Sequence, residues 1–320
     1  MAKADQKEIF CSIVVPVMNE EENVRLLHEA ITRVMLEWGR SYELIIIDDG
    51  STDRTFDILH EISRHDPCLR VVKFRCNFGQ SAAMAAGFEQ SRGEYVVTLD
   101  GDLQNDPVDI PRVVEKMQEG YDIVSGWRKN RKDKFLIRKV PSKIANRLIR
   151  KTTRVDLHDT GCSLKAYRGE VVHKIRLYGE MHRFIPALAR VEGARIGELV
   201  VNHHERKFGK SKYNLSRTFK VIMDLMTLNV LLKYLTRPLH FFGGLTVFFN
   251  GLGFASLMAL TWGWSQNHYV EDELNVLMSL TFLLFAAGIN FLLYGLIANS
   301  VVSTGEKRDE RLYEFKTYGN

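Results

Sequence analysis

The stretch YELIIIDDGSTDRTFDILHEISRHDPCLRVVKF, residues 42–74, decides the fold class of this chain. Residues 42–48 are apolar and rich in β-branched side chains, and they predict a buried strand. The apolar residues of 55–65 recur at helical spacing, and 69–74 predicts a second strand. Continuously apolar strands separated by helices are typical of a parallel sheet that is covered on both faces. The stretch therefore predicts a strand–helix–strand unit of an α/β fold.

The same alternation continues on both sides of this stretch. Further strands are predicted at 11–17, 95–100 and 122–127, and further helices at 21–38, 81–91 and 107–120. The chain is thus expected to form a mostly parallel, Rossmann-like sheet, and such sheets bind ligands beyond the carboxyl ends of their strands. The motifs GxGxxG and GxxxxGKS/T do not occur, which argues against a dinucleotide fingerprint and a P-loop.

Carboxylate and amide side chains follow three of the predicted strands. They are Asn19 and Glu20 after the first strand, Asp48, Asp49 and Asp53 after the second, and Asp100 and Asp102 after the fourth. Because the carboxyl ends of parallel strands meet at one edge of a sheet, these side chains are expected to form an acidic rim there. Neighbouring carboxylates repel one another unless a cation or hydrogen-bond donors compensate their charge.

The stretch VVTLDGDLQNDP, residues 96–107, indicates what that partner is. Asp100 and Asp102 are two residues apart on an extended segment, so their side chains point the same way, roughly 6–7 Å apart at the backbone. This spacing suits two carboxylates that share Mg²⁺ or Mn²⁺, with the diphosphate of a nucleotide completing the shell. The alternative is a solvated Asp-rich turn that begins a helix, and it is favoured for Asp106, which precedes Pro107.

Five blocks of the sequence, taken in order, resemble glycosyltransferase family 2. They are VPVMNEEEN (15–23), IIIDDGSTD (45–53), LDGDLQNDP (99–107), GWR (126–128) and RKFGKSKY (206–213). More closely, they resemble the polyprenyl-phosphate glycosyltransferases, the branch that includes dolichol-phosphate mannose synthase and the bacterial bactoprenol glucosyltransferases. One Asp-x-Asp motif is a weak signal, whereas five blocks in order are a specific one. The resemblance covers about residues 10–235, and the two apolar segments that follow match the bacterial branch.

This resemblance implies a GT-A fold, a nucleotide-sugar donor and a Mg²⁺ or Mn²⁺ ion at the diphosphate. The residues implied for the nucleotide sugar are Pro16, Asn19, Glu20, Asp48, Asp49, Asp53, Asp100, Arg206 and Ser211; those for the metal are Asp100, Asp102 and Gln104; those for the phosphate of an acceptor lipid are Arg128, Arg131 and Arg138. The residues implied in catalysis are Asp102, Arg128, Asp159 and Lys212. For Asp159 three interpretations stay open: a general base, a residue that positions the acceptor, and a cap of a strand end.

Apolar segments in the last third of the chain predict attachment to a membrane. Residues 239–264 and 274–302 are each long enough to cross a bilayer with about 30 Å of hydrocarbon. Residues 134–151 predict a basic amphipathic helix on an anionic membrane surface; a nucleic-acid patch is the weaker alternative, since aromatic residues do not alternate with the basic ones and membrane spans follow. Lys and Arg flank the two spans and are absent from the linker between them, which predicts that both ends of the chain face the cytoplasm.

The expected organisation follows from these segments. Residues 1–212 form a cytoplasmic GT-A catalytic domain, 213–236 an interface helix region, 237–303 the two transmembrane helices and 304–320 a cytoplasmic tail. The net charge of +5 and the polar start of the chain agree with a cytosol-facing domain that has no cleavable signal peptide. The four cysteines have no metal-ligand spacing and are expected to be reduced thiols.

By this resemblance, the predicted reaction moves a hexose from a nucleoside diphosphate to polyprenyl phosphate, undecaprenyl phosphate in the bacterial branch, with inversion at the anomeric carbon. UDP-glucose is the favoured donor and GDP-mannose the second, and the product is a lipid-linked sugar for the modification of cell-envelope glycans. One alternative is a processive polysaccharide synthase, although the Gln-x-x-Arg-Trp block usual in that class is missing. Another is a membrane-anchored nucleotide-sugar sensor or scaffold without catalysis. The oligomeric state is left open.

Overall fold

A computed structural model describes residues 9–129, 157–175, 177, 181–191, 193–205, 238–266 and 271–304 of the chain. The chain divides into two compact units, one of residues 1–226 with 310–320 and the other of residues 227–309. Several predicted features lie outside the described residues. They are the basic helix at 134–151, the interface helix region at 213–236, the tail at 304–320 beyond its first residue, and Arg131, Arg138, Arg206, Ser211 and Lys212.

The first unit is built on a seven-stranded mixed sheet. Its strands are β1 (Cys11–Val17), β2 (Tyr42–Asp48), β3 (Leu69–Lys73), β4 (Tyr95–Thr98), β5 (Ile123–Trp127), β6 (Lys165–Arg168) and β7 (Ile196–Val200). Their order across the sheet is β3-β2-β1-β4-β6-β5-β7. Only β6 runs against its neighbours β4 and β5, and the other pairs are parallel. This mostly parallel sheet confirms the predicted α/β class.

Helices cover both faces of the sheet. They are α1 (Val24–Trp38), α2 (Thr55–Ser63), α3 (Gln80–Gln90), α4 (Asp109–Gln118), α5 (Gly169–Lys174), a 3-10 turn (Met181–Phe184) and α6 (Ile185–Val191). The buried apolar residues of α1, α2 and α4 form one core with one face of the sheet. Those of α3, α5 and α6 form a second core with the other face. Burial of apolar area on both faces is the main favourable term that holds such a domain together.

The five strands up to residue 127 lie where the sequence predicts them, whereas β6 and β7 were not predicted. Both unpredicted strands are short and carry a charged residue, Lys165 in β6 and Glu198 in β7. Lys165 is nonetheless buried, and the side chain of Glu198 is only 13% exposed. A search for apolar runs misses strands of this kind because it treats a charge as evidence against burial.

Helix α3 lies unusually close to the sheet, and Gly87 makes this possible. A Cβ atom at position 87 would lie 2.2 Å from Cγ1 of Val14, a contact that no side chain tolerates. The close approach fixes the N-terminal end of α3 beside the carboxyl ends of the strands. There Gln80 donates a hydrogen bond to Asp100.

The second unit contains two long helices, α7 (Pro238–Ser265) and α8 (Glu271–Thr304). Over Pro238–Ser265 and Glu273–Val301 their mean hydropathy and length are those of helices that can cross a membrane. The two helices contact each other through aromatic and small polar side chains. Phe254 and Phe285 stack edge to face with ring centroids 5.0 Å apart, and the hydroxyls of Ser256 and Thr281 lie 2.8 Å apart.

Two asparagines interrupt the apolar sequence of these helices, and their contacts differ. Asn250 packs against Gly288 of the other helix so closely that a Cβ atom at 288 would lie 2.6 Å from its Oδ1. Asn290 instead donates a hydrogen bond of 2.9 Å to the carbonyl of Ala286 in its own helix, and it is exposed. Of the two, Asn250 therefore takes part in the contact between the helices.

Replacing Gly288 with Leu is expected to weaken the contact between α7 and α8, because the new side chain needs the space that Asn250 fills. Overpacking of a close contact costs typically about 1–3 kcal/mol. The measurement is the midpoint of thermal unfolding in detergent, which should be lower than that of the parent protein.

Gly251→Leu is the matched control, since nothing lies within 4 Å of a Cβ atom at that position of α7. Its unfolding midpoint should stay at the parental value. Equal midpoints for the two variants would show that the described contact does not hold the helices together.

Candidate active site

The candidate site lies at the carboxyl ends of the parallel strands, where β6 begins. Because β6 runs in the opposite direction, its first residues arrive at this edge from the other side. The hydroxyl of Thr98 at the end of β4 donates a hydrogen bond of 2.8 Å to the carbonyl of Ser163, just before β6. Residues of the chain before 100 and after 157 are thus joined in one site.

The loops after β1 and β2 interlock. The side-chain oxygen of Asn19 accepts a 2.8 Å hydrogen bond from the backbone of Thr52, and the backbone of Glu20 donates one of 2.9 Å to the hydroxyl of Thr55. Asn19 adopts a positive φ of 55°, a backbone conformation that asparagine tolerates better than most residues. A small surface pocket opens beside these loops, lined by Asn19, Glu20, Glu21, Glu22, Asn23 and Asp53.

The two adjacent carboxylates after β2 have different surroundings. Asp49 accepts three hydrogen bonds from the loop before α3, from the side chain of Asn77 at 2.9 Å and from the backbone of Phe78 at 2.7 Å and Gly79 at 3.0 Å. Oδ1 of Asp48 accepts a 3.0 Å hydrogen bond from the backbone of Ser51. Its other oxygen, Oδ2, is buried and has no hydrogen-bond partner in the described part of the chain. Asp49 thus holds a loop in place, while Asp48 has an acceptor to spare.

Asp100 and Asp102 follow β4, but the strand ends at Thr98 and residues 101 and 102 form a turn instead of the predicted extended segment. Oδ1 of Asp100 accepts a 2.8 Å hydrogen bond from the side chain of Gln80, and Oδ1 of Asp102 accepts one of 3.1 Å from the backbone of Gln104. Burial raises the pKa of Asp100, and the charge of Asp102 raises it further. Among the described residues no group of three or more His, Cys, Asp and Glu side chains could hold a metal ion.

Arg128 and Asp159 form a buried ion pair at the end of β5. Nε of Arg128 donates to Oδ2 of Asp159 at 2.7 Å, and a terminal nitrogen donates to Oδ1 at 3.0 Å. The two side chains are only 10% and 7% exposed. Burial alone lowers the pKa of Arg128, but the hydrogen bonds and charge of Asp159 outweigh it, and the net shift is upward. Arg128 therefore carries a fixed positive charge in a defined orientation.

This pair bears on the three interpretations of Asp159. Both of its carboxylate oxygens accept hydrogen bonds from a guanidinium, which lowers the proton affinity expected of a general base. Oδ2 of Asp159 also accepts a 3.4 Å hydrogen bond from the backbone of Arg128, just after β5, so the contacts fit the cap of a strand end and argue against the general base.

The segment that precedes Arg206 is held against the Asp102 loop. The backbone of His204 donates a 2.8 Å hydrogen bond to the carbonyl of Gln104, and His203 pairs with Asn105 as an isolated antiparallel bridge. The imidazole of His204 lies 2.9 Å from a carboxylate oxygen of Asp106. These backbone contacts bring the chain to the same edge of the sheet just before residue 206.

Two further charges, which the sequence analysis did not single out, contact the loop that carries Asp159. They are Lys165, which is buried, and Glu198, whose side chain is 13% exposed. Burial lowers the pKa of Lys165. In the sequence, Lys165 and Glu198 are marked only by being charged residues within short strands of four and five residues. That signal can be used only after the strands themselves are known.

Asp159→Ala is expected to destabilise the first unit strongly, because it leaves the buried guanidinium of Arg128 without its partner. Removing one member of a buried ion pair costs about 3–5 kcal/mol. The measurement is the unfolding midpoint in denaturant, compared with the parent protein.

Glu61→Ala is the control, since Glu61 pairs with Arg25 at 3.2 Å but the two side chains are 64% and 49% exposed. An exposed pair contributes only about 0–1 kcal/mol. If both variants unfold at the same denaturant concentration, the buried pair does not have the structural role assigned to it.

Comparison with known proteins agrees with this architecture. The family model described as Glycosyl transferase family 2 matches residues 12–176. A dodecaprenyl-phosphate galacturonate synthase of Rhizobium johnstonii is 41% identical over 304 residues, which cover 93% of this chain and 89% of that protein. An undecaprenyl-phosphate 4-deoxy-4-formamido-L-arabinose transferase of Pseudomonas paraeruginosa is 42% identical over 217 residues, which cover 68% of this chain and 64% of that protein.

Among solved structures, glucosyl-3-phosphoglycerate synthase from Mycobacterium tuberculosis, in complex with Mn²⁺, uridine diphosphate and phosphoglyceric acid, has a similar fold. The TM-score is 0.55 at 19% identity, over 69% of this chain and 78% of that one. This likeness confirms the GT-A fold. The two sequence relatives are polyprenyl-phosphate glycosyltransferases, so they confirm the resemblance that the five blocks indicate. With half of its length matched by the family and nearly all of it aligned with one relative, the chain belongs to glycosyl transferase family 2.

Proposed function

We propose that this protein transfers a glycosyl group from a nucleoside diphosphate sugar to the phosphate of a polyprenyl phosphate. The observation that carries the proposal is the fixed guanidinium of Arg128 at the same strand edge as the acidic pair Asp100 and Asp102. The charge of Arg128 acts on Asp100, so the two lie within one electrostatic environment. A cation that faces an acceptor phosphate and two carboxylates that face a donor diphosphate are the parts such a transfer needs. The names of the two relatives support a polyprenyl phosphate as the acceptor.

The nucleoside is proposed to bind over the ends of β1 and β2. The unpartnered Oδ2 of Asp48 is a buried acceptor that a donor group of a ribose or base would satisfy. Pro16, Asn19, Glu20 and Asp53 lie on β1 and in the interlocked loops next to it. Asp49, already engaged by the loop before α3, would shape this pocket.

The acidic pair fits a divalent cation. Burial and the repulsion from the charge of Asp102 both raise the pKa of Asp100. A cation between the two carboxylates would compensate this repulsion. Asp100 and Asp102 would hold Mg²⁺ or Mn²⁺ together with Gln104, whose backbone already orients Asp102. When bound, the ion supplies positive charge to the diphosphate that leaves.

The acceptor phosphate is proposed to contact Arg128, with Arg131 and Arg138 nearby in sequence. Arg206, Ser211 and Lys212 are proposed to contact the donor phosphates, since the chain before residue 206 is fixed beside the Asp102 loop. A lipid phosphate is already ionised near neutral pH, so its oxygen can attack the anomeric carbon without a general base. Direct attack inverts that carbon. Asp159 would then hold Arg128 in place and accept no proton.

The donor sugar is inferred from two sources that differ. The motif blocks favour UDP-glucose and, second, GDP-mannose. The relative that aligns with 93% of the chain is named for galacturonate, and the other relative for a formamido-arabinose. We rank UDP-galacturonate first, because that alignment extends over both apolar helices as well as the catalytic unit.

The two apolar helices are proposed to form a transmembrane hairpin. Lys and Arg precede α7 and follow α8, and they are absent from the linker; by the positive-inside rule this pattern supports a cytoplasmic location for both ends of the chain. The catalytic unit would thus face the compartment that supplies nucleotide sugars. The basic segment 134–151 would bring it to the membrane surface.

The thermal stability of the metal-free protein is expected to depend on Asp100. Because its pKa in the folded protein is raised by burial and by Asp102, the folded state binds that proton more tightly than the unfolded chain. This contribution to stability is complete below the ordinary pKa of an Asp and is lost as the pH rises through the raised value. The Tm of the metal-free protein should therefore fall over this range, and Mn²⁺ should restore it at neutral pH.

Asp100→Asn carries no charge at this position in any pH range, so both effects should be smaller in that variant. The comparison isolates Asp100 from the other carboxyls, which titrate in both proteins. An identical dependence of Tm on pH and Mn²⁺ in parent and variant would remove Asp100 from the cation site.

The proposed reaction is tested by incubating the detergent-solubilised protein with Mn²⁺, undecaprenyl phosphate and radiolabelled UDP-galacturonate, UDP-glucose or GDP-mannose. We expect transfer of label to the lipid from one of the uridine nucleotides. Asp102→Asn should lower the rate on the order of 100-fold, as the loss of one preorganised contact to developing charge does.

Asp57→Asn, an exposed position on α2, is the matched control and should transfer at the parental rate. Binding of a nucleotide sugar without transfer to any lipid phosphate would support the sensor or scaffold instead. Transfer by Asp102→Asn at the parental rate would show that the acidic pair is not part of the machinery.

A further inference from the structure

The loop that carries Asp159 is held by two charges of opposite sign, a buried lysine and a largely covered glutamate. It comprises residues 158–162, immediately precedes the start of β6 and lies directly beside Arg128. Loops at a sheet edge usually present unpaired backbone N–H and C=O groups that water or side chains must satisfy. Here charged side chains of the two neighbouring strands do so.

Glu198 of β7 accepts the N–H groups at the start of this loop. Its Oε1 receives hydrogen bonds from the backbone of His158 at 2.9 Å and of Asp159 at 3.1 Å. Its Oε2 lies 2.8 Å from Nδ1 of His158. The ring of His158 in turn stacks on Trp127 with centroids 4.2 Å apart. One carboxylate therefore fixes the backbone on both sides of the His158–Asp159 peptide bond.

Lys165 of β6 donates to the carbonyl groups at the end of the loop. Its ammonium contacts the carbonyl of Thr160 at 3.3 Å and also that of Cys162. Lys165 is 3% exposed, and no carboxylate of the described residues lies within ion-pair distance of it. Such burial of an ammonium is costly, so its two carbonyl contacts must be held firmly to compensate it.

Both charges stand on one face of the sheet. Ser125 of β5 is paired with Lys165 on one side and with Glu198 on the other. Ser125 is fully buried, and its hydroxyl has no hydrogen-bond partner among the described residues. A small residue between the two long side chains leaves them room to reach the loop above. The reversed direction of β6 is what brings Lys165 to this edge.

We propose that Glu198 and Lys165 are positioning residues that lock the 158–162 loop, so that Asp159 presents the guanidinium of Arg128 to the acceptor phosphate. The proposal rests on the function proposed above for Arg128. Neither residue touches a substrate. Glu198 fixes the backbone N–H of Asp159, and Lys165 fixes the carbonyl of Thr160. With the backbone held on both sides, the carboxylate of Asp159 meets Arg128 in a single orientation.

Hydrogen exchange tests the positioning without any substrate. In Glu198→Ala and Lys165→Met, the backbone amides of His158 and Asp159 should exchange at least about tenfold faster than in the parent, because their loop opens more often. Glu198→Gln keeps an oxygen that can accept both N–H groups and should retain most of the protection. Parental exchange rates in Glu198→Ala and Lys165→Met would overturn the proposal, whether or not the protein transfers sugar to a lipid.

Kinetics test the route through Arg128. With undecaprenyl phosphate as acceptor, kcat/KM for the acceptor should fall on the order of 10- to 100-fold in Lys165→Met, since a misplacement of about 1 Å can cost that much. The KM for the nucleotide sugar should change less than about twofold. Lys165→Arg, which keeps donors to the two carbonyls, should recover part of the loss, and Glu61→Gln on the surface of the unit is the control.

The double variant with Arg128→Ala separates positioning from general destabilisation. If Lys165 acts through Arg128, adding Lys165→Met to Arg128→Ala lowers kcat/KM no further. An equal further loss in that background, or an equal rise in the KM of both substrates, would make Lys165 a purely structural residue. Absence of transfer by the parent protein refutes the proposed function and leaves hydrogen exchange to decide the positioning.

Discussion

The burial of charge at the carboxyl edge of the sheet is the constraint on which the rest of the site depends. Asp102 and Asp159 are buried, the side chain of Arg128 is 10% exposed and Asp100 is half-buried, and a charge in such surroundings is tolerated only when it is paired or hydrogen-bonded. The charge of Arg128 is compensated by Asp159, which accepts hydrogen bonds from two of its nitrogens and leaves other N–H donors for an anion. In the acidic pair, Asp100 accepts a hydrogen bond from Gln80 and Asp102 one from the backbone of Gln104, but the two carboxylates still repel each other. A divalent cation would compensate their negative charge together with that of a bound diphosphate.

This arrangement explains why the sheet is mixed. A wholly parallel sheet would bring only the ends of strands to this edge, followed by loops that leave it. Because β6 runs in reverse between β4 and β5, it brings the beginning of a strand, and with it Ser163 and Lys165, to the same place. Ser163 is tied to Thr98 at the end of β4, and Lys165 to the loop that carries Asp159. One reversed strand thus connects the acidic pair with the cation that is proposed to meet the acceptor.

The chemistry proposed here places few demands on proton transfer. A phosphate nucleophile needs orientation and charge compensation more than it needs a base, so the residues that matter are those that hold cations and carboxylates in fixed positions. That demand fits a site in which an aspartate is used to orient an arginine. It also fits the second unit, since an acceptor with a polyprenyl chain resides in a membrane, and α7 and α8 are long and apolar enough to cross one.

Much of the fold could be predicted from the sequence because its signals are local. The strands from Cys11 to Trp127 and the helices between them follow from apolar periodicity, and the acidic rim follows from what comes after each strand. The extended segment predicted through Asp100 and Asp102 is shorter in the structure, because β4 ends at Thr98 and a turn begins at residue 101. The two apolar helices are evident from length and composition alone.

Tertiary structure decided what depends on residues far apart in the chain. Asp159 is 31 residues from Arg128, and no local pattern shows that its carboxylate is engaged by a guanidinium. Glu198 and Lys165 carry charges that, in sequence, argue against the buried strands on which they lie. Asp48 and Asp49 are adjacent in sequence, yet their contacts differ. Asp49 holds the loop of Asn77 to Gly79, whereas Oδ2 of Asp48 has no hydrogen-bond partner among the described residues. Sequence determines which charges are present and which strands end beside them, whereas the partner of each buried charge is set by the packing of the sheet, because compensation requires contact in space.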